Sequence, residues 1–134
     1  MTQLYCLVGF AAWAVLLVVA IALYRVAQVL TGQKRANEFP SGMQHGGDRY
    51  WRLNRAHMNA VENLPIFAAL VLTASILHVD VLKWAEVALV ARIVQSVVHV
   101  SSGSVMAVNL RFTAFVTQVA CYAGMIWTLS ARWS

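Results

Sequence analysis

Residues 4–24 read L-Y-C-L-V-G-F-A-A-W-A-V-L-L-V-V-A-I-A-L-Y, 21 positions without a charge. Wound as a helix at ~1.5 Å per residue, the run is ~31 Å long, the thickness of a bilayer's hydrocarbon core. A cleaved leader would carry a basic residue ahead of the apolar run and a small-x-small site behind it. Neither is evident, so a retained membrane helix is expected.

The rest of the chain has the same character. Of its 134 residues, 60% are apolar and 11% charged, with a mean hydropathy of +0.66. Soluble domains are nearer a quarter charged, so the composition excludes disordered, collagen-like and disulfide-scaffold classes and points away from a water-soluble domain. At ~20 residues per crossing the length holds about four spans and no second domain. The expected fold is therefore an all-α membrane protein, one four-helix transmembrane bundle over residues 1–134.

Phe112–Ala131 is a second clean segment, uncharged for 20 residues. The two middle spans are less clean. Asn63–Val79 is uncharged for 17 residues, but a polar helical pattern leads into it from about Tyr50. Ile93–Leu110 is uncharged for 18 and follows an apolar run broken by Lys83, Glu86 and Arg92. A very short connection is expected around Val79-Asp80-Val81. A longer loop over 31–48 is punctuated by Thr-Gly, Phe-Pro-Ser-Gly and His45-Gly46-Gly47, which break helices.

Net charge is +5, with a pI near 9.8. The bases flank apolar segments without forming a run, which suits anionic headgroups or a small anionic ligand and argues against nucleic acid. Lys34, Arg35, Arg49, Arg52 and Arg55 lie in or beside the first loop, and Arg111 joins them from the third. The opposite side has Lys83 and Arg132. The positive-inside rule then predicts cytoplasmic first and third loops and non-cytoplasmic termini. Cys6 and Cys121 lie in apolar segments without CxxC spacing and read as buried free thiols.

Within residues 51–67, W-R-L-N-R-A-H-M-N-A-V-E-N-L-P-I-F, Arg52, Arg55, Asn59 and Glu62 recur at spacings of 3, 4 and 3. At ~100° per residue they share an arc of roughly 80°, with His57 pointing away. A charge at the centre of a membrane helix costs ~2.5–3.5 kcal/mol on insertion scales, so such residues seek partners. Arg55 and Glu62 serve either as salt-bridge glue, with Arg52 snorkelling to headgroups, or as the wall of a polar pocket. Arg92, Gln95, Ser96 and His99 share a second face, which Ser102, Gly103 and Met106 are expected to extend. One small bundle has little interior for both stripes, so burial between chains of a homo-oligomer is expected.

Arg55-Ala56-His57-x-Asn59-x-x-Glu62-Asn63-x-Pro65-x-Phe67 resembles the MAPEG family, the membrane-associated proteins of eicosanoid and glutathione metabolism. Thr31-Gly32-Gln33-Lys34-Arg35 and His45-Gly46-Gly47 add to the resemblance, which covers essentially the whole chain. It implies a homotrimer of four-helix subunits with glutathione bound between neighbours near the cytoplasmic side. Arg35, Arg55, Asn59, Glu62 and His99 would line that site. Arg111, expected just before the last helix, would act catalytically by stabilising the glutathione thiolate, aided by the helix dipole.

The chemistry of these side chains suits glutathione: guanidinium forks for its carboxylates, Glu62 for its ammonium, Asn59 for a peptide amide. No metal is expected. Some eicosanoid-forming members carry a tyrosine one turn after the helix 3 histidine, where this chain has Gly103, and an arginine in place of Met58. The implied activity is therefore a glutathione transferase or peroxidase acting on lipophilic electrophiles. The alternative is a non-catalytic lipid-binding or scaffold member of the same fold. A small multidrug transporter would need an acid in the first helix, and residues 4–24 contain none.

Overall fold

The computed structural model describes residues 2–40 and 42–132. Ser41, part of the expected Phe-Pro-Ser-Gly break, lies outside the described residues. Four helices follow in order: α1 (Gln3–Leu30), α2 (Asp48–Ile76), α3 (Leu82–Ser101) and α4 (Val105–Ser130). All four are long and apolar enough to cross a membrane.

In α1 the buried residues Cys6, Phe10, Ala14, Leu17 and Ile21 recur every three or four positions and form one stripe. The remaining faces carry Val8, Val15, Leu16 and Leu23, apolar yet exposed, as suits a helix with lipid behind it. The helix runs past Tyr24 to Leu30, so Arg25 is helical. Gly32, at φ +70°, then closes it: the Gln33 amide donates to the Gln28 carbonyl and the Gly32 amide to Val29. The left-handed turn needs a residue without Cβ penalty.

The α2–α3 connection closes in the same way, with His78 at φ 53° in the left-handed position and the Val79 amide donating to the Ala74 carbonyl. Gln3 pins this turn to the start of α1. Its Nε2 donates to Ser75 Oγ and to the Val79 carbonyl, and its Oε1 accepts from the Val81 amide at 3.0 Å.

The boundaries of α3 and α4 differ from expectation. Helix α3 starts eleven residues before Ile93 and ends at Ser101, and α4 starts at Val105. Lys83 and Glu86 reach outward from the first turns of α3, so charge there does not exclude helix. Ser101 to Ser104 makes the break: the Ser104 hydroxyl accepts from the Ala107 amide and caps α4.

The core joins Phe10 and Phe67, whose ring centroids are 5.1 Å apart, to Val71, Val81 and Met125. Buried alanines at 60, 74, 85 and 88 let the helices approach closely. Helix α4 packs chiefly on α3 and also touches α2. Among the described residues, its backbone makes no contact with that of α1.

Candidate functional site

The face that α2 turns to the core is taken by Ala56, Ala60, Phe67 and Val71. Arg55, Asn59 and Glu62 lie about a third of a turn from that face. They therefore emerge on the flank of the chain, with Arg55 and Glu62 exposed and Asn59 half-buried. Small alanines and apolar side chains, not these polar groups, fill the inward positions of the helix.

Counting 20 residues back from Ile76 puts the near edge of a ~30 Å core close to His57. Glu62 is then five residues, ~7 Å, inside it.

Arg52 Nε points to the Val100 carbonyl at 3.4 Å, so a cation meets the negative end of α3. His99, half-buried on the last turn of α3, feels the charges of Arg111 from α4 and of Arg55 and Arg52 from α2. Three helices thus bring Arg52, Arg55, His99 and Arg111 to one end of the bundle. Among the described residues, the side chains of Arg55, Asn59, Glu62, His99 and Arg111 make no hydrogen bond or ion pair within the chain. Salt-bridge glue between Arg55 and Glu62 and their own chain is therefore not what the structure shows.

Arg111 is the seventh residue of α4, not its forerunner. The dipole's influence falls off within the first turn, so the guanidinium alone is left to act on an anion there. Arg35 lies on the exposed first loop. Its amide donates to Glu38 Oε2 at 3.0 Å, and its side chain is not brought to the α2 face by any bond within the chain.

A profile of the MAPEG family matches residues 3–131. The chain belongs to this family. It is an integral multi-pass membrane protein of a family concerned with glutathione and eicosanoid metabolism. No curated protein matches it.

Two expectations drawn from the second polar stripe need correction. Arg92, Gln95 and Ser96 are buried inside this MAPEG chain and do not line an open pocket. Arg92 Nη2 donates to Gln118 Oε1, Gln118 Nε2 donates to the Tyr122 hydroxyl, and the guanidinium carbon lies 5.8 Å from the Phe10 ring centre. A single chain therefore does hide Arg92, Gln95 and Ser96, while among the described residues His99 and the α2 stripe are left partly or wholly uncovered.

The other correction concerns the extension of the stripe. Ser102 and Gly103 form the α3–α4 turn, and Met106 is an exposed residue of α4. The position one turn past His99 is thus off the helix, beside Arg52. Gln118 and Tyr122 went unread in the sequence, although a glutamine four residues before a tyrosine in an uncharged span is a legible polar pair.

Between α3 and α4, Val87, Val90, Val94, Leu110 and Thr113 line an apolar groove of about 400 Å³. Glu86 also lines it, and Leu110 and Thr113 lie on either side of Arg111 in sequence.

Proposed function

We propose that this protein is a glutathione-dependent transferase or peroxidase acting on lipophilic electrophiles. It works as a homotrimer, with glutathione held between subunits at the end of the bundle that carries the first loop. The observation that carries the reading is the polar face of α2. Asn59 and Glu62 are set ~7 Å or less inside the apolar slab and Arg55 at its edge, and among the described residues none of their side chains makes a hydrogen bond or ion pair within the chain. Facing lipid, each charge would cost up to ~2.5–3.5 kcal/mol, so a neighbouring subunit and a polar ligand are the economical cover.

In this role Arg55, with Arg35 from the first loop, binds carboxylates through paired charge-assisted hydrogen bonds. Glu62 accepts from the ammonium and Asn59 serves a peptide amide. Arg111, with His99 beside it, holds the sulfur as thiolate by its positive charge, since a free thiol is mostly protonated near neutral pH. In conjugation the sulfur's electron pair forms the S–C bond and the leaving group departs with its own pair. The α3–α4 groove offers the electrophile an apolar approach from the bilayer.

Calorimetry of glutathione with the detergent-purified protein, beside native mass spectrometry, tests the reading. The wild type should bind as a trimer. Glu62→Ala should remain a trimer and lose affinity by on the order of 2–5 kcal/mol, the usual loss for one partner of a buried charge pair. Absence of binding by the wild type, or a monomeric variant with unchanged affinity, would refute it.

A further inference from the structure

The end of α1 and the first loop carry a second charged arrangement that the glutathione site does not use. Phe39 has two cations around it: the Arg25 guanidinium carbon is 5.4 Å from its ring centre and the Lys34 ammonium 5.6 Å. An aromatic face attracts cations, but it does not cancel the repulsion between two of them. Among the described residues no carboxylate pairs with either. The nearby Glu38 instead accepts from the Arg35 amide.

Arg25 is held in place on one side only. Its Nε donates to the Tyr50 hydroxyl at 2.8 Å, and Tyr50 is buried and stacked on Tyr24 with ring centroids 4.1 Å apart. Gly46, at φ +73°, makes room for this stack, since a Cβ there would come within 2.9 Å of the Tyr50 ring. The terminal nitrogens of Arg25 and the Lys34 ammonium make no hydrogen bond among the described residues.

Against these cations lies an apolar cleft of about 330 Å³, lined by Val26, Val29, Leu30, Ala36 and Phe39. Val26 and Leu30 are 52% and 81% exposed, so nothing among the described residues covers it. The cleft begins just beyond the 21-residue uncharged stretch of α1, at the depth of lipid headgroups.

We propose that this cleft is a binding site for an anionic phospholipid. The headgroup phosphate is engaged by Arg25 and Lys34, and part of an acyl chain lies along Val26, Val29 and Leu30. Cations at headgroup depth with an apolar cleft beside them complement a lipid in both charge and polarity. A zwitterionic headgroup is the poorer fit, because its own cation adds to two uncompensated positive charges.

The test is native mass spectrometry of the full-length protein with dioleoylphosphatidylglycerol or dioleoylphosphatidylcholine, alongside thermal melts. The wild type should retain phosphatidylglycerol in preference to phosphatidylcholine and be stabilised by it. The Lys34 side chain has only its contact with the Phe39 ring to lose, so Lys34→Gln should fold normally and bind phosphatidylglycerol about fivefold more weakly, the worth of one basic residue at a membrane surface. The pair Arg25→Gln/Lys34→Gln should be roughly thirtyfold weaker, and Lys83→Gln, at the other end of the bundle, should match the wild type. Equal retention of the two lipids, an unaltered Lys34→Gln, or a Lys83→Gln as weak as Lys34→Gln would overturn the proposal. So would inorganic phosphate that stabilises the protein as well as the lipid does.

Discussion

Replacing Gln118 by Leu isolates the buried polar network that ties α3 to α4. Gln118 is fully buried and serves two groups at once, accepting from Arg92 and donating to Tyr122. A hydrogen bond to a charged group contributes about 1.5–3 kcal/mol. A neutral one within a membrane bundle averages about 0.6. Arg92 keeps the Tyr122 hydroxyl and the charge of Glu62 as neighbours, but its Nε already lacks a partner and it is itself 0% exposed, so loss of Gln118 leaves a second buried nitrogen unpaired. Gln118→Leu should therefore destabilise the protein by roughly 2–4 kcal/mol.

Removing the cation as well changes the outcome. In Arg92→Met/Gln118→Leu no buried charge is left unpaired, and similar apolar replacements of buried charged groups are often neutral or better. Most of the lost stability should return. Equilibrium unfolding in mixed micelles, titrated with a denaturing detergent, reads both variants on one scale. A Gln118→Leu loss below about 0.5 kcal/mol, the level of an ordinary surface change, would refute the network's importance. Losses that simply add in the double variant would show that the two residues are not coupled.

Arg111→Ala should leave glutathione affinity largely intact while abolishing thiolate absorbance near neutral pH and slowing conjugation of a small electrophile. An ultraviolet difference titration beside the turnover rate checks this, and an unchanged thiol pKa would sink the role. Gly124→Ala should cost about 1–3 kcal/mol, because the new Cβ would come within 2.8 Å of the Trp84 ring across the α3–α4 contact. Gly47→Ala, with open space around it, serves as the control in the same unfolding assay. His78→Gly should stabilise by about 1 kcal/mol by relieving a left-handed backbone at a β-carbon-bearing residue, and a variant no more stable than wild type would contradict that.

Four membrane helices were legible from the sequence because hydrophobic length is a local property. Helical periodicity is equally local, so Arg55, Asn59 and Glu62 could be placed on one face from their spacing alone. Uncharged runs proved a poor guide to helix ends. Lys83 and Glu86 lie within α3, and Arg111 lies within α4, because a long charged side chain can leave a helix that its backbone does not interrupt. The direction of the two polar stripes was decided only by packing. Ala56 and Ala60 take the inward positions of α2 and leave Arg55 and Glu62 on its flank. Arg92 instead turns inward to Gln118, 26 residues away on another helix. Where a buried polar group finds its partner depends on which helices become neighbours, and no window of sequence around Arg92 contains that information.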